Sequence, residues 1–240
     1  MAKKKTDLIS DKYNKIFGIS DSYEAPAKIM EILYNREERE KVFKELLELH
    51  DYNVNFDWFY EYFQEEHSDR KKKKQDFTPE SVAELLSQLA GTDEGLYYEC
   101  CAGTGGIMIK YWDKYRRTFS PFDYTPDLHF AVVEELSDRC IPFLLLNMMI
   151  RGMNGIVIHG DTLTRKCKNA YFICNQTNDH LSFSGISNIP HTEEFEKELA
   201  VKFESPDYTE HKELMNVELI GKLVKGTDER YFTGSSREVK

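Results

Sequence analysis

The chain has 240 residues, of which 40% are hydrophobic and 31% charged, and it contains no apolar run near the ~20 residues of a membrane span. Its 42 acidic residues outnumber 32 lysines and arginines, and the formal net charge of −10 argues against tight, autonomous DNA binding. Five cysteines without a Cys-x-x-Cys pair, and a basic start without an apolar stretch, predict a protein of the reducing cytoplasm.

Residues 1–70 are predicted to form an N-terminal helical region. Asp21-Ser22-Tyr23-Glu24 has the pattern of a capping box, and apolar residues recur at helical spacing in the stretches that follow it. We interpret these stripes as the core of a small bundle, and a partner-binding surface is the alternative. The bundle is expected to pack beside the next domain and to serve assembly, not chemistry. Arg70–Lys74 marks the boundary.

A capped helix is predicted next, at the start of a domain that covers residues 71–190. Thr78 is suited to the N-cap and Pro79 to the first turn. The apolar face of this helix is formed by Val82, Leu85 and Leu86.

A glycine-rich turn follows, and the rest of the domain is organised around it. The apolar run Leu96–Tyr98 leads through Glu99 and two cysteines to Gly103-Thr104-Gly105-Gly106, after which helical spacing resumes. Glycines suit a turn in which the backbone takes positive φ and a ligand approaches closely. A strand, a tight turn and a helix are the layout of a nucleotide-binding βα unit, although a plain turn would give the same pattern. Cys100 and Cys101 are expected to be small buried residues of the strand end.

Three more predicted strands each end at polar residues. The second, His129–Val133, is followed by Glu134 and Glu135, and the third by Gly160-Asp161-Thr162-Leu163. The fourth ends at Asn175. Alternating strands and helices predict an open α/β sheet that binds its ligand at the carboxyl ends of the strands. Residues 191–240 are interpreted as an extension that completes the domain and ends in a polar tail.

Basic and aromatic residues lie together between the turn helix and the second strand. A structural loop is the favoured interpretation of this stretch, and contact with nucleic acid, where aromatics stack on bases, is the alternative. The residues concerned are Arg116, Arg117, Phe119, Phe122 and Tyr124.

The order of these motifs resembles that of amino-group DNA methyltransferases, and in particular the N6-adenine methyltransferase subunits of type I restriction–modification systems. Glu99-Cys100-Cys101-Ala102-Gly103-Thr104-Gly105-Gly106 looks like their acid-Pro-Ala-Cys-Gly-Thr-Gly-Gly motif, preceded by a similar Gln75–Pro79 segment. Glu135-Leu136-Ser137-Asp138, with Asn147 downstream, is similar to their Glu-Ile-Asn-Pro…Asn-Leu segment, and Gly160–Leu163 matches their Gly-Asp-Thr-Leu. The resemblance covers about residues 74–178.

The resemblance implies a Rossmann-like S-adenosylmethionine-dependent methyltransferase fold of the α/β class. It places Glu99 near the amino-acid part of S-adenosyl-L-methionine, Glu135 on the ribose hydroxyls and Asp161 on the adenine amino group. Thr78 and Pro79 would contact the methionine end. The backbone of Gly103, Thr104, Gly105 and Gly106 would close over the cofactor.

The fourth motif departs from the family pattern. The family has Asn-Pro-Pro-aromatic after the fourth strand, where the asparagine accepts from the target amino group and the aromatic stacks on the flipped base. Here Asn175 is retained as the candidate catalytic residue, but Gln176 and Thr177 replace the prolines and Asn178 the aromatic. We therefore expect weak or partner-dependent activity, with Asn175 at the cofactor edge of the sheet.

The sequence leaves two functions open and makes a third less favoured. The first is an S-adenosylmethionine-dependent DNA adenine-N6 methyltransferase that reaches DNA through a separate specificity or restriction–modification subunit, in a homo- or hetero-oligomer. The alternative is a catalytically inactive pseudo-methyltransferase that binds the cofactor and acts by protein interaction. A methyltransferase for protein or small molecules is less favoured, because the motifs point to the DNA group.

Overall fold

The computed structural model describes residues 7–63, 78–90 and 95–213. Its α-helices are α1 (Asp7–Phe17), α2 (Ala25–Tyr34), α3 (Arg36–Leu49), α4 (Glu80–Leu89), α5 (Gly106–Arg116), α6 (Ile141–Ile150) and α7 (Glu193–Glu198). Short 3-10 helices span Ser22–Glu24 and Pro126–Leu128. The strands are β1 (Leu96–Cys100), β2 (Phe130–Glu135), β3 (Asn154–Asp161), β4 (Lys166–Cys174), β5 (Gly185–Asn188) and β6 (Lys202–Phe203).

One mixed sheet carries the fold, with the strand order β1-β2-β3-β4-β5 and with β6 paired to β4. β1, β2 and β3 are parallel, so their carboxyl ends meet at one edge, where Cys100 lies opposite Glu134 and Glu135 opposite His159. Hydrophobic clusters cover both faces of the sheet. This is the predicted α/β class, consistent with a Rossmann-like methyltransferase fold.

The connection from β3 to β4 corrects the predicted alternation of strands and helices. β4 pairs antiparallel with β3, from Gly155 opposite Ile173 to Asp161 opposite Lys166, and β5 pairs antiparallel with β4. Four residues join β3 to β4. A parallel crossover takes a dozen residues or more, so this link allows only a hairpin.

The N-terminal helices pack against the sheet domain and share its core. The Asp21–Glu24 capping box is confirmed, because Asp21 accepts from the Tyr23 N–H and the Glu24 carboxylate from the Asp21 N–H. The Phe59 ring lies 4.9 Å from that of Phe143 on α6. Leu33, Phe43 and Leu46 are fully buried beside them.

Helix α4 differs from its prediction in its start and in its buried face. Pro79, not Thr78, is the N-cap residue, and no side chain caps the helix. The buried positions are Ala83 and Ser87, and the predicted apolar stripe faces outward, with Leu85 55% exposed. Lys110 of α5 holds α4 through a 2.7 Å contact with the Glu80 carboxylate.

The described chain ends against the N-terminal region. Arg39, which is 2% exposed, donates to both carboxylate oxygens of Glu213, at 3.0 and 2.7 Å. The basic run at 70–74 lies outside the described residues, as do residues 1–6 and the part of the predicted 191–240 extension that follows residue 213, including its polar tail. The boundaries proposed at residues 70 and 190 remain predictions.

Candidate cofactor-binding site

The glycine turn joins β1 to α5, as the sequence predicts. Gly103 and Gly105 have φ of 60° and 94°, in the left-handed region that favours glycine. A Cβ on Gly105 would also lie 2.8 Å from Met108 Cε and 2.9 Å from Leu144 Cδ1. The backbone conformation therefore favours glycine at position 105, and a Cβ there would in addition displace the ends of two flexible side chains.

Glu135 ties the end of β2 to this turn. One oxygen of its carboxylate accepts from the Gly103 N–H at 2.7 Å, and the other accepts from the Ser137 N–H at the same distance. The parallel pairing of β1 with β2 brings these groups together. The neighbouring Glu134 side chain bonds Tyr98 and Arg165 instead, because successive strand residues face opposite sides of a sheet.

Glu99 is an enclosed carboxyl group below the turn. It accepts from the Tyr97 hydroxyl at 2.8 Å and from the Met108 N–H. Burial raises the pKa of Glu99 to about 7, with a contribution from the negative charge of Glu135, while the two hydrogen bonds oppose the rise. A cation bound beside Glu99 would stabilise the ionised form.

One cavity of about 430 Å³ brings most of the predicted cofactor residues together. Its lining includes Thr78, Glu99, Gly103, Thr104, Gly106 and Glu135. These residues come from the segment before α4, from β1 and its turn, and from the end of β2. The sequence motifs thus converge on one place at the carboxyl edge of the parallel strands.

Three predicted cofactor residues are not in that lining. Pro79 is the N-cap residue of α4, next to Thr78. Gly105 is the N-cap residue of α5 and has a left-handed conformation. Asp161 lies at the end of β3, where its carboxylate accepts from the Leu163 N–H at 2.9 Å and from the Thr164 hydroxyl at 2.9 Å. Asp161 therefore caps the β3–β4 hairpin, and its contact with a cofactor remains a prediction.

Asp57 is a site residue that the sequence analysis missed. Its carboxylate accepts a short hydrogen bond from the Thr104 hydroxyl, and further bonds from Asn147 Nδ2 and the Phe59 N–H, both at 3.0 Å. Burial raises the pKa of Asp57, and these bonds together with the Arg151 charge oppose the rise. The aromatic residues around Asp57 have the pattern of a buried core. Nothing in the local sequence therefore indicated a functional residue at this position.

Arg151 completes this network from the end of α6. Its guanidinium donates to Asn147 Oδ1 at 2.7 Å and to the main-chain oxygens of Val54 and Phe56 at 2.8 and 2.7 Å. Asn147 also donates to the Thr104 carbonyl at 2.8 Å. The loop before residue 60 is thereby fixed to the glycine turn, and Asp57 and Tyr60 line the same cavity. The N-terminal region, which was expected to pack beside the domain and to serve assembly, thus also contributes side chains to the cavity lining.

Asn175 does not lie at the cofactor edge, and this prediction was wrong. Because β4 runs antiparallel to β3, it ends where β3 begins, and the Asn175 N–H donates to Asn154 Oδ1 at 2.7 Å. The Asn175 side chain donates to the carbonyls of Asp179 and Ser182 at 2.8 and 2.9 Å. It is 4% exposed and closes the loop after β4.

The two adjacent cysteines also differ from their prediction. Cys100 and Cys101 are both exposed and line the cavity, and Cys101 has a φ of 60°. Cys100 lies on the same exposed face of β1 as Tyr98, and Cys101 begins the turn in a left-handed conformation. Within the described ranges, no cluster of three or more His, Cys, Asp or Glu could hold a metal ion.

The sheet and its helices define an α/β domain consistent with a Rossmann-like methyltransferase fold. The sequence model of the N-6 DNA methylase family matches residues 53–218, more than half of the chain. The chain therefore belongs to the N-6 DNA methylase family, as a DNA adenine methyltransferase-like protein that has DNA as its implied substrate. No curated protein and no solved structure matches it. None of the helices described is long and apolar enough to cross a membrane.

Proposed function

We propose that this protein binds S-adenosyl-L-methionine in the 430 Å³ cavity and takes part in adenine-N6 methylation of DNA. The observation that carries the proposal is the convergence of Glu99, Glu135 and the glycine turn on that cavity. Its volume falls within the roughly 300–1,000 Å³ of ligand pockets. Membership of the N-6 DNA methylase family supports the reaction class, which is methyl transfer to adenine in DNA.

The lining residues fit the chemistry of the cofactor. Glu99 and Glu135 offer carboxylates to a ligand that carries an ammonium and a sulfonium, and a carboxylate also accepts from ribose hydroxyls. Gly103 leaves its side of the cavity without a Cβ, so a ligand can approach the backbone. Thr78 would contact the methionine end. When bound, the cofactor supplies the methyl group.

We further propose that the isolated chain is a weak methyltransferase that depends on a partner, such as a specificity or restriction–modification subunit. Support comes from Asn175, which lies at the opposite edge of the sheet, where its Oδ1 accepts from the Thr177 hydroxyl at 2.9 Å and faces no group of the cavity lining. The net charge of −10 gives little attraction to phosphates.

The position of Asn175, away from the cavity, supports a second function equally well. In this function the protein is a pseudo-methyltransferase that binds the cofactor and acts by protein interaction. Titration calorimetry with S-adenosylmethionine tests the shared premise, and mass spectrometry of N6-methyladenine in host DNA with and without the protein separates the two. Cofactor binding without added methylation supports the pseudoenzyme. A flat titration with folded protein overturns both.

A further inference from the structure

Cys100 and Cys101 place two neighbouring thiols in the wall of the cofactor cavity. Both side chains are exposed and line the 430 Å³ cavity, whereas the other three cysteines of the chain are buried. The two thiols are hydrogen-bonded to each other. The proposed cofactor site therefore contains an accessible dithiol, a group that methyl transfer to DNA does not use.

The backbone holds the two thiols together. Cys100 lies opposite Glu134 of β2, and the Ala102 N–H donates to the Glu134 carbonyl at 2.9 Å, so Cys101 is an extra residue between two contacts with the same partner. Its φ of 60° is uncommon for a residue that has a side chain. In a regular strand, successive side chains point to opposite faces. The left-handed conformation of Cys101 instead brings its thiol to that of Cys100.

The spacing of the two residues favours a bridge of one atom over a direct disulfide. Consecutive Cα atoms lie about 3.8 Å apart, below the roughly 4.4–6.8 Å that disulfides span. A direct S–S bond would therefore strain the chain between the two residues. One atom between the sulfurs enlarges the ring and relieves that strain, so the pair suits a soft, thiophilic centre that binds both sulfurs.

The surroundings decide which soft centre fits. Partial desolvation raises the pKa of the Cys101 thiol, and Cys100 and the negative charge of Glu135 add to the rise. A univalent metal ion on two thiolates would be an anionic complex, which the Glu135 carboxylate disfavours. A linear divalent ion would need the sulfurs on opposite sides, whereas these two touch. Trivalent arsenic has pyramidal bonds and forms a neutral product, because its oxygen leaves as water with both thiol protons.

We propose that Cys100 and Cys101 form a binding site for trivalent arsenicals, and that its occupancy excludes the cofactor from the cavity. An arsenical R–As=O and the two thiols give R–As(S–Cys)2 and water. Two As–S and two O–H bonds form, the As=O bond and two S–H bonds break, and no atom changes its oxidation state. The exclusion rests on the proposed function, but the arsenic site does not. A competing dithiol removes the arsenic, so the block is reversible.

Phenylarsine oxide is the probe for the site. Intact-mass spectrometry and titration calorimetry on freshly reduced protein measure its stoichiometry and affinity. Wild type should bind one phenylarsenic group with loss of one water. Cys100→Ser and Cys101→Ser should each weaken binding by at least about a hundredfold, because the second sulfur no longer binds intramolecularly. Cys174→Ala is the matched control, since it removes a buried thiol and leaves the pair intact, and it should bind as wild type does.

Competition with the cofactor is the second measurement. Wild type loaded with the arsenical should not bind S-adenosylmethionine in the calorimeter, and 2,3-dimercaptopropanol should restore binding. By reciprocity, saturating S-adenosylhomocysteine should weaken phenylarsine oxide binding to wild type by about tenfold or more. The Cys174→Ala control should show the same competition.

Each part of the inference has its own contrary outcome. Wild-type affinity for phenylarsine oxide no greater than that of Cys100→Ser or Cys101→Ser overturns the dithiol site, and either variant suffices if the other does not fold. Simultaneous binding of arsenical and cofactor overturns the exclusion. Failure of arsenical-free wild type to bind S-adenosylmethionine overturns the proposed function and with it the exclusion, while the comparison with the serine variants still decides the arsenic site.

Discussion

The Gly103 N–H donates to the Glu135 carboxylate at 2.7 Å, which joins the glycine turn to the end of β2 across 32 positions of sequence. Two motifs that are separate in the chain thus act as one unit. Glu135 fixes the turn and also borders the cavity in which the cofactor is proposed to lie.

Glu135→Ala is expected to weaken S-adenosylmethionine binding by about tenfold or more, because hydrogen bonds to a charged group contribute ~1.5–3 kcal/mol. Titration calorimetry measures the effect. Asp161→Ala serves as the comparison, since its carboxylate caps a hairpin and does not line the cavity. An Asp161→Ala loss as large as that of Glu135→Ala would restore the adenine-amino role that the resemblance implies.

Gly105→Ala is expected to lower the free energy of unfolding by about 1–3 kcal/mol, because an alanine at positive φ is strained. The added Cβ would also press on Met108 and Leu144. Thermal and urea denaturation measure the change. Gly106→Ala is the matched control, because the nearest atom to its Cβ is Asp57 Cβ at 3.9 Å, and its stability should not fall.

Cofactor affinity is expected to rise with pH through about 7, the pKa to which burial raises Glu99. A cationic ligand favours the ionised carboxylate, so binding to wild type should tighten by about tenfold between pH 6 and pH 8. Calorimetry at several pH values measures this dependence. Glu99→Gln should remove the Glu99 contribution, and an unchanged pH profile in that variant contradicts the assignment.

The raised pKa of Glu99 makes the ligand-free protein less stable, and not more stable, as pH rises toward 7. Between the ordinary value of 4.5 and about 7, the unfolded chain has released a proton that folded Glu99 retains. The Glu99 contribution to the free energy of unfolding therefore falls as pH rises through this interval. Glu99→Gln should flatten that part of the stability profile.

Asn175→Ala is expected to destabilise the fold by about 1–2 kcal/mol, because it removes the buried side chain that donates to the carbonyls of Asp179 and Ser182. Any methyl transfer per folded molecule should stay unchanged. Labelled-methyl incorporation into single-stranded DNA, beside thermal denaturation, measures both properties. The exposed Gln176→Ala is the control. Loss of transfer without loss of stability would return Asn175 to the active site.

His129 is expected to make the protein sensitive to mild acid. It is 1% exposed between Tyr111 and Tyr115, and burial lowers its pKa to about 3. The unfolded chain gains a proton near pH 6.5 that folded His129 does not take up, so stability falls as pH drops below that value. Between pH 7.5 and pH 5 the loss is about 2 kcal/mol.

His129→Phe should remove this loss, because phenylalanine fills the aromatic site and has no proton to gain. Urea denaturation at several pH values measures the slope. Replacement of the exposed His180 by Gln serves as the reference variant. An acid slope that is the same in His129→Phe as in wild type would show that other groups control it.

Much of the fold could be predicted because its signals are local. The β1 run, the glycine turn and the Asp21–Glu24 cap each depend on residues within a few positions of one another, where backbone preference decides the conformation. Helix α4 shows the limit of such reasoning. Its apolar stripe faces outward, while the small residues Ala83 and Ser87 are buried, and the Ser87 carbonyl accepts from Lys114 of α5. Which face of the helix is buried depends on its neighbours in the fold and not on its own sequence.

The sequence by itself determined the α/β class, the family and the order of the motifs around Gly103. Tertiary structure alone decided two matters. A four-residue link turned β4 antiparallel and carried Asn175 to the far edge of the sheet, because chain direction inverts at a hairpin. Long-range packing also brought Asp57 to Thr104, and a contact between positions 47 apart leaves no periodicity in the sequence to reveal it.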